Sequence, residues 1–180
     1  KKVRINATYF KNKIKKTKYI KPVCIDLNQI NKKKIKIHKI ENLVHLAWPD
    51  LENYHDSSHK NVILENQKKL IFYAVSNGCK NLIVAGTCYE YGLTSGKISE
   101  NFDCHPVCNY GHGKNSLRKY IQKLQKQFDF NFTWLRIFYI YGINPNRDTL
   151  TNILLKNKNK KKPIILNKRI KRDYVDINFV

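Results

Sequence analysis

Between Leu43 and Ala85 the chain carries the pattern that most restricts its fold: a short apolar run, a long helical repeat and a second apolar run. Leu43-Val44-His45-Leu46-Ala47 is bounded by polar residues and Pro49, as expected of a buried parallel strand. Over residues 57–77, Val62, Ile63, Leu64, Leu70, Ile71, Tyr73, Ala74 and Val75 supply one apolar face, and Gly78 stops the helix as a C-cap. Asn81-Leu82-Ile83-Val84-Ala85 then follows at once as the next strand.

The alternation continues on both sides. Residues 2–7 form a weakly alternating strand, and residues 19–25 a strand that ends at Asp26-Leu27. Pro22 assigns the latter to an edge or to an early strand position. Residues 28–39 are a lysine-rich connection, with a helix as the alternative. After Tyr110, Leu117, Tyr120, Ile121, Leu124 and Phe128 recur at helical spacing, and residues 132–138 are a strand closed by Tyr141-Gly142. Residues 149–155 read as helix and residues 163–166 as a short strand. Strands alternating with helices predict an α/β fold on a doubly wound parallel sheet. Such sheets bind ligands at the carboxyl ends of their strands, and Asp26, Ala47, Thr87 and Phe138 fall at or near such ends.

The chemistry concentrates where the strand at residues 81–85 runs into a small-residue turn carrying Thr87 and, after a loop, Tyr110-Gly111-His112-Gly113-Lys114 opens a helix. A tyrosine and a lysine four apart share one helix face. A phenol is a poor base at neutral pH, and a nearby ammonium is expected to lower its pKa by favouring the phenolate. Thr87 would hold a substrate oxygen while Tyr110 moves its proton. Cys104, His105, Cys108 and His112 are four metal-type ligands in nine positions, but their spacing matches no standard structural zinc pattern, and no metal is expected.

The formal charge of +22 raises nucleic acid as a partner. The lysines are interspersed with asparagine and isoleucine throughout, which reads as a compositional bias on solvent-facing positions rather than a binding stripe, and no recognisable nucleic-acid module accompanies them. No apolar run approaches the roughly eighteen residues of a membrane span, so no membrane partner and a cytoplasmic location are expected. Five scattered cysteines point to reduced thiols.

In this order and spacing the residues resemble the extended short-chain dehydrogenase/reductase family, in its NAD-dependent epimerase/dehydratase branch acting on nucleotide sugars. The resemblance rests on Asp26-Leu27, His45-Leu46-Ala47, Thr87 ahead of Tyr91-Gly92, the Tyr110/Lys114 pair, Leu135-Arg136-Ile137-Phe138 with Tyr141-Gly142, and Arg172-Asp173-Tyr174. It implies a Rossmann-like fold in which Thr87, Tyr110 and Lys114 are catalytic. Asp26, Leu27, Leu46, Ala47, Tyr110, Lys114 and Phe138 would line an NAD or NADP site, with Lys114 holding the nicotinamide ribose. Thr87 and Arg172 would meet a nucleotide-sugar substrate, and a homodimer is compatible with the family. The loop after the second strand leaves both cofactors open. The implied reaction is hydride transfer at a sugar carbon by an epimerase, dehydratase or 4-ketoreductase; the alternative is a non-catalytic or RNA-associated relative.

The family's opening strand and its Gly-x-x-Gly-x-x-Gly loop, which binds pyrophosphate through backbone N–H groups, do not occur in these 180 residues. The chain also lacks methionine and stops where the family continues into its substrate lobe. The expectation is therefore an internal piece of a longer enzyme, or a degraded relative. Residues 1–142 would be a partial NAD(P)-binding domain and residues 143–180 the start of the substrate lobe.

Overall fold

Strands β1 (Ile5–Tyr9) and β2 (Ile20–Cys24) pair in parallel, with Ile5 opposite Ile20 and Tyr9 opposite Cys24. The computed structural model describes residues 3–30, 35, 40–142, 150–157 and 172–179. Pro22 sits on β2, at the edge of this two-stranded sheet, where its missing N–H leaves no ladder bond unmade. A second sheet has the order β3 (Asn42–His45), β4 (Asn81–Thr87) and β5 (Asn131–Ile137), with β3 and β4 parallel. Three asparagines tie these strands together near their starts: Asn81 donates to Asn42 at 2.7 Å and accepts from Asn131 at 2.9 Å. Among the described residues, neither β1 nor β3 has a partner on its second edge.

Helix α1 (Val62–Ser76) connects β3 to β4. It ends as its sequence predicts: Asn77 is the C-cap and Gly78 follows at φ +88°, the left-handed conformation that a side chain disfavours. Helix α2 (Asn109–Leu124) connects β4 to β5. Ile63, Ile71 and Ala74 of α1 meet Leu117, Ile121 and Leu124 of α2 over Leu82 and Val84 of β4 in one core. On β3 and β5 of this sheet, Val44 and Leu135 remain exposed. A smaller cluster of Val23, Ile25, Ile30 and Ile35 packs on Leu70, giving the β1–β2 pair its own contact with α1. The α/β architecture with parallel strands is thus the expected one. Residues 31–34, 36–39 and 163–166, expected as connection and strand, lie outside the described residues.

Contacts group the chain into two units, Lys1–Arg136 and Ile137–Val180. In the second unit, β6 (Tyr139–Tyr141) pairs in parallel with β7 (Tyr174–Asp176), and α3 (Leu150–Asn157) falls where helical periodicity places it.

Candidate active site

The carboxyl end of β4 is stopped by chemistry local to it. Thr87 is extended at φ −151° and ψ 150°, and a 3₁₀ turn, Cys88–Glu90, follows immediately. The Thr87 hydroxyl accepts the Tyr89 N–H while the Glu90 carboxylate accepts the Thr87 N–H at 2.8 Å, a reciprocal capping box. The turn ends the strand and leaves Thr87 buried at the carboxyl end of β4.

Helix α2 brings the phenol to that end of the strand. Cys108 caps it, its Sγ accepting the Gly111 N–H at 3.4 Å, so Tyr110 lies in the first turn. The Tyr110 N–H donates to the Tyr54 carbonyl at 3.0 Å. Two glycines let the helix start dock backbone to backbone. A Cβ on Gly111 would stand 2.6 Å from the Tyr89 carbonyl oxygen, and one on Gly113 would strike the His59 carbonyl. The Tyr110 ring stacks on Tyr54 at 5.2 Å between centroids and meets Trp48, His59 and Tyr89 edge-on. His59 is held by both ring nitrogens: Trp48 Nε1 donates to its Nδ1 at 3.0 Å, so Nε2 carries the proton given to the Asn53 carbonyl at 2.9 Å.

Thr87, Tyr110 and Lys114 are brought together. The Tyr110 phenol lies close enough to the Thr87 hydroxyl to feel it electrostatically. Lys114, one helical turn on and 1% exposed, donates from Nζ to the Ala85 carbonyl at 2.7 Å. The same ammonium lies 4.4 Å from the centroid of the Trp48 ring and 5.9 Å from that of Tyr110.

One expectation is corrected. Burial, opposed by the Thr87 side chain, pushes the Tyr110 phenol well above its ordinary value, where sequence reasoning expected a lowering by Lys114. The reason is that Lys114 is buried as well. Burial pulls it down to about 7, against the opposing pull of the Glu90 charge. His45 is also drawn down, to about 4, first by burial and then by Lys114, and is neutral at pH 7.

The other predicted residues are placed separately. Leu46 and Ala47 are exposed just past β3, ahead of the buried Trp48. Asp26 forms an Asx turn after β2, accepting the Asn28 N–H at 2.9 Å, and Leu27 packs against the smaller core. Phe138 and Arg172 belong to the second unit. There the Arg172 guanidinium lies 4.5 Å from the Tyr139 ring centroid. Of the four metal-type ligands, Cys108 serves as a helix cap, Cys104 accepts from Arg118 and Arg136, and His112 is exposed.

Sequence reasoning passed over Glu90, Trp48, His59 and the two helix glycines. The Thr-x-x-Glu spacing at 87–90 is a capping-box signature and could have found the first. Trp48 and His59 have no comparable local signal.

The sequence profile of the NAD dependent epimerase/dehydratase family matches residues 4–178. The chain belongs to this family. Over 150 residues, 78% of the chain, it is 36% identical to the dTDP-6-deoxy-L-talose 4-dehydrogenase (NAD(+)) of Aggregatibacter actinomycetemcomitans, and covers 53% of it. Over 99 residues, 55% of the chain, it is 26% identical to the uncharacterized UDP-glucose epimerase YtcB of Bacillus subtilis (strain 168), covering 31% of it. The chain thus spans about half or less of the length of these relatives. Among solved structures, the UDP-glucuronic acid 4-epimerase of Bacillus cereus, in complex with UDP-glucuronic acid and NAD, superposes with a TM-score of 0.73. It is 22% identical, and the match covers 90% of this chain and 53% of that one. A structure of TunA, an NAD dependent NDP-hexosamine 5,6-dehydratase of tunicamycin biosynthesis, gives 0.72 at 18% identity, covering 90% and 55%. At these identities the solved structures support the shared fold.

Proposed function

We propose that this protein is a nicotinamide-dinucleotide oxidoreductase acting at C4 of a nucleotide-activated 6-deoxyhexose. The observation that carries the reading is the convergence of Tyr110 and Lys114, one turn apart on α2, on the end of β4 that carries Thr87, with the Lys114 Nζ bonded to the Ala85 carbonyl at 2.7 Å. The 36% identity to a dTDP-6-deoxy-L-talose 4-dehydrogenase supports the choice of sugar position and of NAD over NADP.

The residues fit the two ends of such a dinucleotide. Exposed Leu46 and Ala47 with Tyr110 are assigned to the nicotinamide ribose and the Asp26 carboxylate with Leu27 to adenine, whereas Lys114, enclosed and bonded to the Ala85 carbonyl, reaches the ribose only if it is uncovered. The pyrophosphate has no glycine-rich cradle among these 180 residues and is assigned to none of them. Phe138 is proposed as a further nicotinamide contact and Arg172, whose fork matches a diphosphate, as a substrate contact. On this reading residues 1–142 serve the cofactor and residues 143–180 open the substrate lobe.

When bound, the dinucleotide gives or takes the hydride at the sugar carbon. The protein's own residues manage the proton. With its pKa raised, Tyr110 keeps its proton at neutral pH and donates it to the C4 ketone oxygen as that carbon is reduced. In the opposite direction Tyr110 must first lose its own proton before it can accept that of the C4 hydroxyl, so oxidation of the sugar is favoured at alkaline pH. Thr87 hydrogen-bonds the same oxygen and orients it. In its ammonium form Lys114 offsets the negative charge left on Tyr110; each pKa unit of such help is worth about 1.4 kcal/mol.

The test is Tyr110→Phe in the full-length protein, assayed with dTDP-6-deoxy-L-talose and NAD. Turnover should fall by about a thousandfold, with NAD affinity nearly intact. Unchanged turnover would sink the reading.

A further inference from the structure

Beside the proposed acid/base pair lies a carboxylate that the mechanism leaves unused. Glu90 is completely buried, 0% exposed, yet it is ionisable. A carboxylate withdrawn from water is tolerated only when its lone pairs are satisfied and its charge is matched. Glu90 meets both conditions from three elements. Its Oε1 accepts the Thr87 N–H at 2.8 Å and the Trp134 Nε1–H at 3.0 Å. Its Oε2 accepts from Arg136 Nε at 3.3 Å and lies 3.7 Å from Arg118 Nε. Thr87 closes β4, Trp134 and Arg136 lie on β5, and Arg118 lies on α2.

The backbone is shaped around this group. A Cβ on Gly86 would stand 2.6 Å from Glu90 Oε1 and collide with the Trp134 indole, so the residue before Thr87 admits the carboxylate only as glycine. Arg136 is itself anchored, donating to the Tyr91 hydroxyl at 3.0 Å and the Glu100 carbonyl at 2.9 Å. A side chain serving only to end a strand could do so in water, with none of this enclosure.

We propose that Glu90 is a positioning residue for the reaction: a carboxylate clamped by Arg136, Trp134 and Arg118 grips the Thr87 N–H and so fixes the Thr87 hydroxyl against Tyr110. The role rests on the reading of Thr87 and Tyr110 as the proton-handling pair. The negative charge has a second effect, since it favours the protonated form of both Lys114 and Tyr110. For both groups this effect is secondary to that of burial.

The experiment is a double-mutant cycle between Glu90→Gln and Thr87→Val in the full-length protein, with dTDP-6-deoxy-L-talose and NAD as the probes and Tyr110→Phe as a control. Glu90→Gln should lower kcat by about tenfold to a hundredfold, the scale of a small misplacement of a reacting group, while KM for the sugar and the Kd for NAD stay within about threefold. On the Thr87→Val background it should cost nothing further, because its effect passes through Thr87. A folded Glu90→Gln with wild-type kcat, or one whose loss adds to that of Thr87→Val, overturns the role. Should Glu90→Gln fail to fold, Trp134→Phe removes one clamp donor and leaves the charge, and it is judged by the same cycle. If the wild type is inactive, or Tyr110→Phe is unimpaired, the functional reading itself falls and takes this role with it. If Tyr110→Phe is dead and Glu90→Gln is not, only the role of Glu90 falls.

Discussion

Replacing Gly113 with alanine sets two physical effects against each other, and the sign of the outcome decides between them. Gly113 lies inside α2, where alanine is intrinsically better by about 1 kcal/mol. An isolated or loosely docked helix would therefore gain stability. Here the added Cβ would strike the His59 carbonyl oxygen and come 3.1 Å from its carbon and 3.2 Å from Trp48 Cζ2. His59 cannot easily retreat, because its ring is pinned between Asn53 and Trp48. Overpacking against such a site costs about 1–3 kcal/mol, and the upper half of that range is appropriate when the obstacle is backbone. After subtracting the propensity gain, the net loss is about 1–2 kcal/mol, or a fall in Tm of roughly 3–6 °C for a chain of this length. Urea unfolding followed by circular dichroism measures it, with Ser116→Ala, at an exposed position of the same helix, as the propensity control. A Gly113→Ala protein more stable than wild type would refute the close docking of α2 on the Ser57–His59 turn.

Two more outcomes follow from groups already described. The folded pKa of His45 lies at about 4, below its ordinary 6.5. The unfolded chain therefore binds the extra proton between these values, and stability falls as pH drops through this window, by about 3 kcal/mol in all. His45→Gln should flatten the dependence of the urea midpoint on pH between 4 and 6.5; an unchanged slope would show that His45 is not the group responsible. Asn81→Ala removes both cross-strand amide bonds, to Asn42 and from Asn131, and should cost about 1 kcal/mol in the same urea assay. No shift in midpoint would show that the ladder contributes nothing to holding the three strands.

Much of the fold could be read from periodicity, since β3, α1, β4 and α2 each carry a pattern longer than the error in their ends. The strand ending in Thr87 was expected to close at Ala85 and runs two residues further. A small-residue turn has no apolar signal to show where hydrogen bonding stops. Thr87, Tyr110 and Lys114 were legible because their types and spacings are themselves the chemistry. Lys114 under the Trp48 ring was not, because that contact joins residues far apart in sequence and depends on how deeply α2 sinks. The raised Tyr110 pKa was missed for the same reason. Proximity of a lysine is visible in a sequence, whereas burial of both partners is not. Glu90 stood in plain view within Gly-Thr-Cys-Tyr-Glu-Tyr-Gly. Its partners Trp134 and Arg136 come from a strand more than forty residues away, so only its capping half was local.

Among the described residues, the edges of β1 and β3 that face away from their partners carry no further strand, which bears on how copies of these 180 residues would behave beside one another in solution. Each edge offers a row of unsatisfied N–H and C=O groups to any extended segment that arrives. A formal charge of +22 sets every copy against every other. Repulsion between like-charged copies opposes such edge-to-edge pairing, and its reach shrinks with the Debye length, from about 30 Å in dilute buffer to about 8 Å at physiological salt.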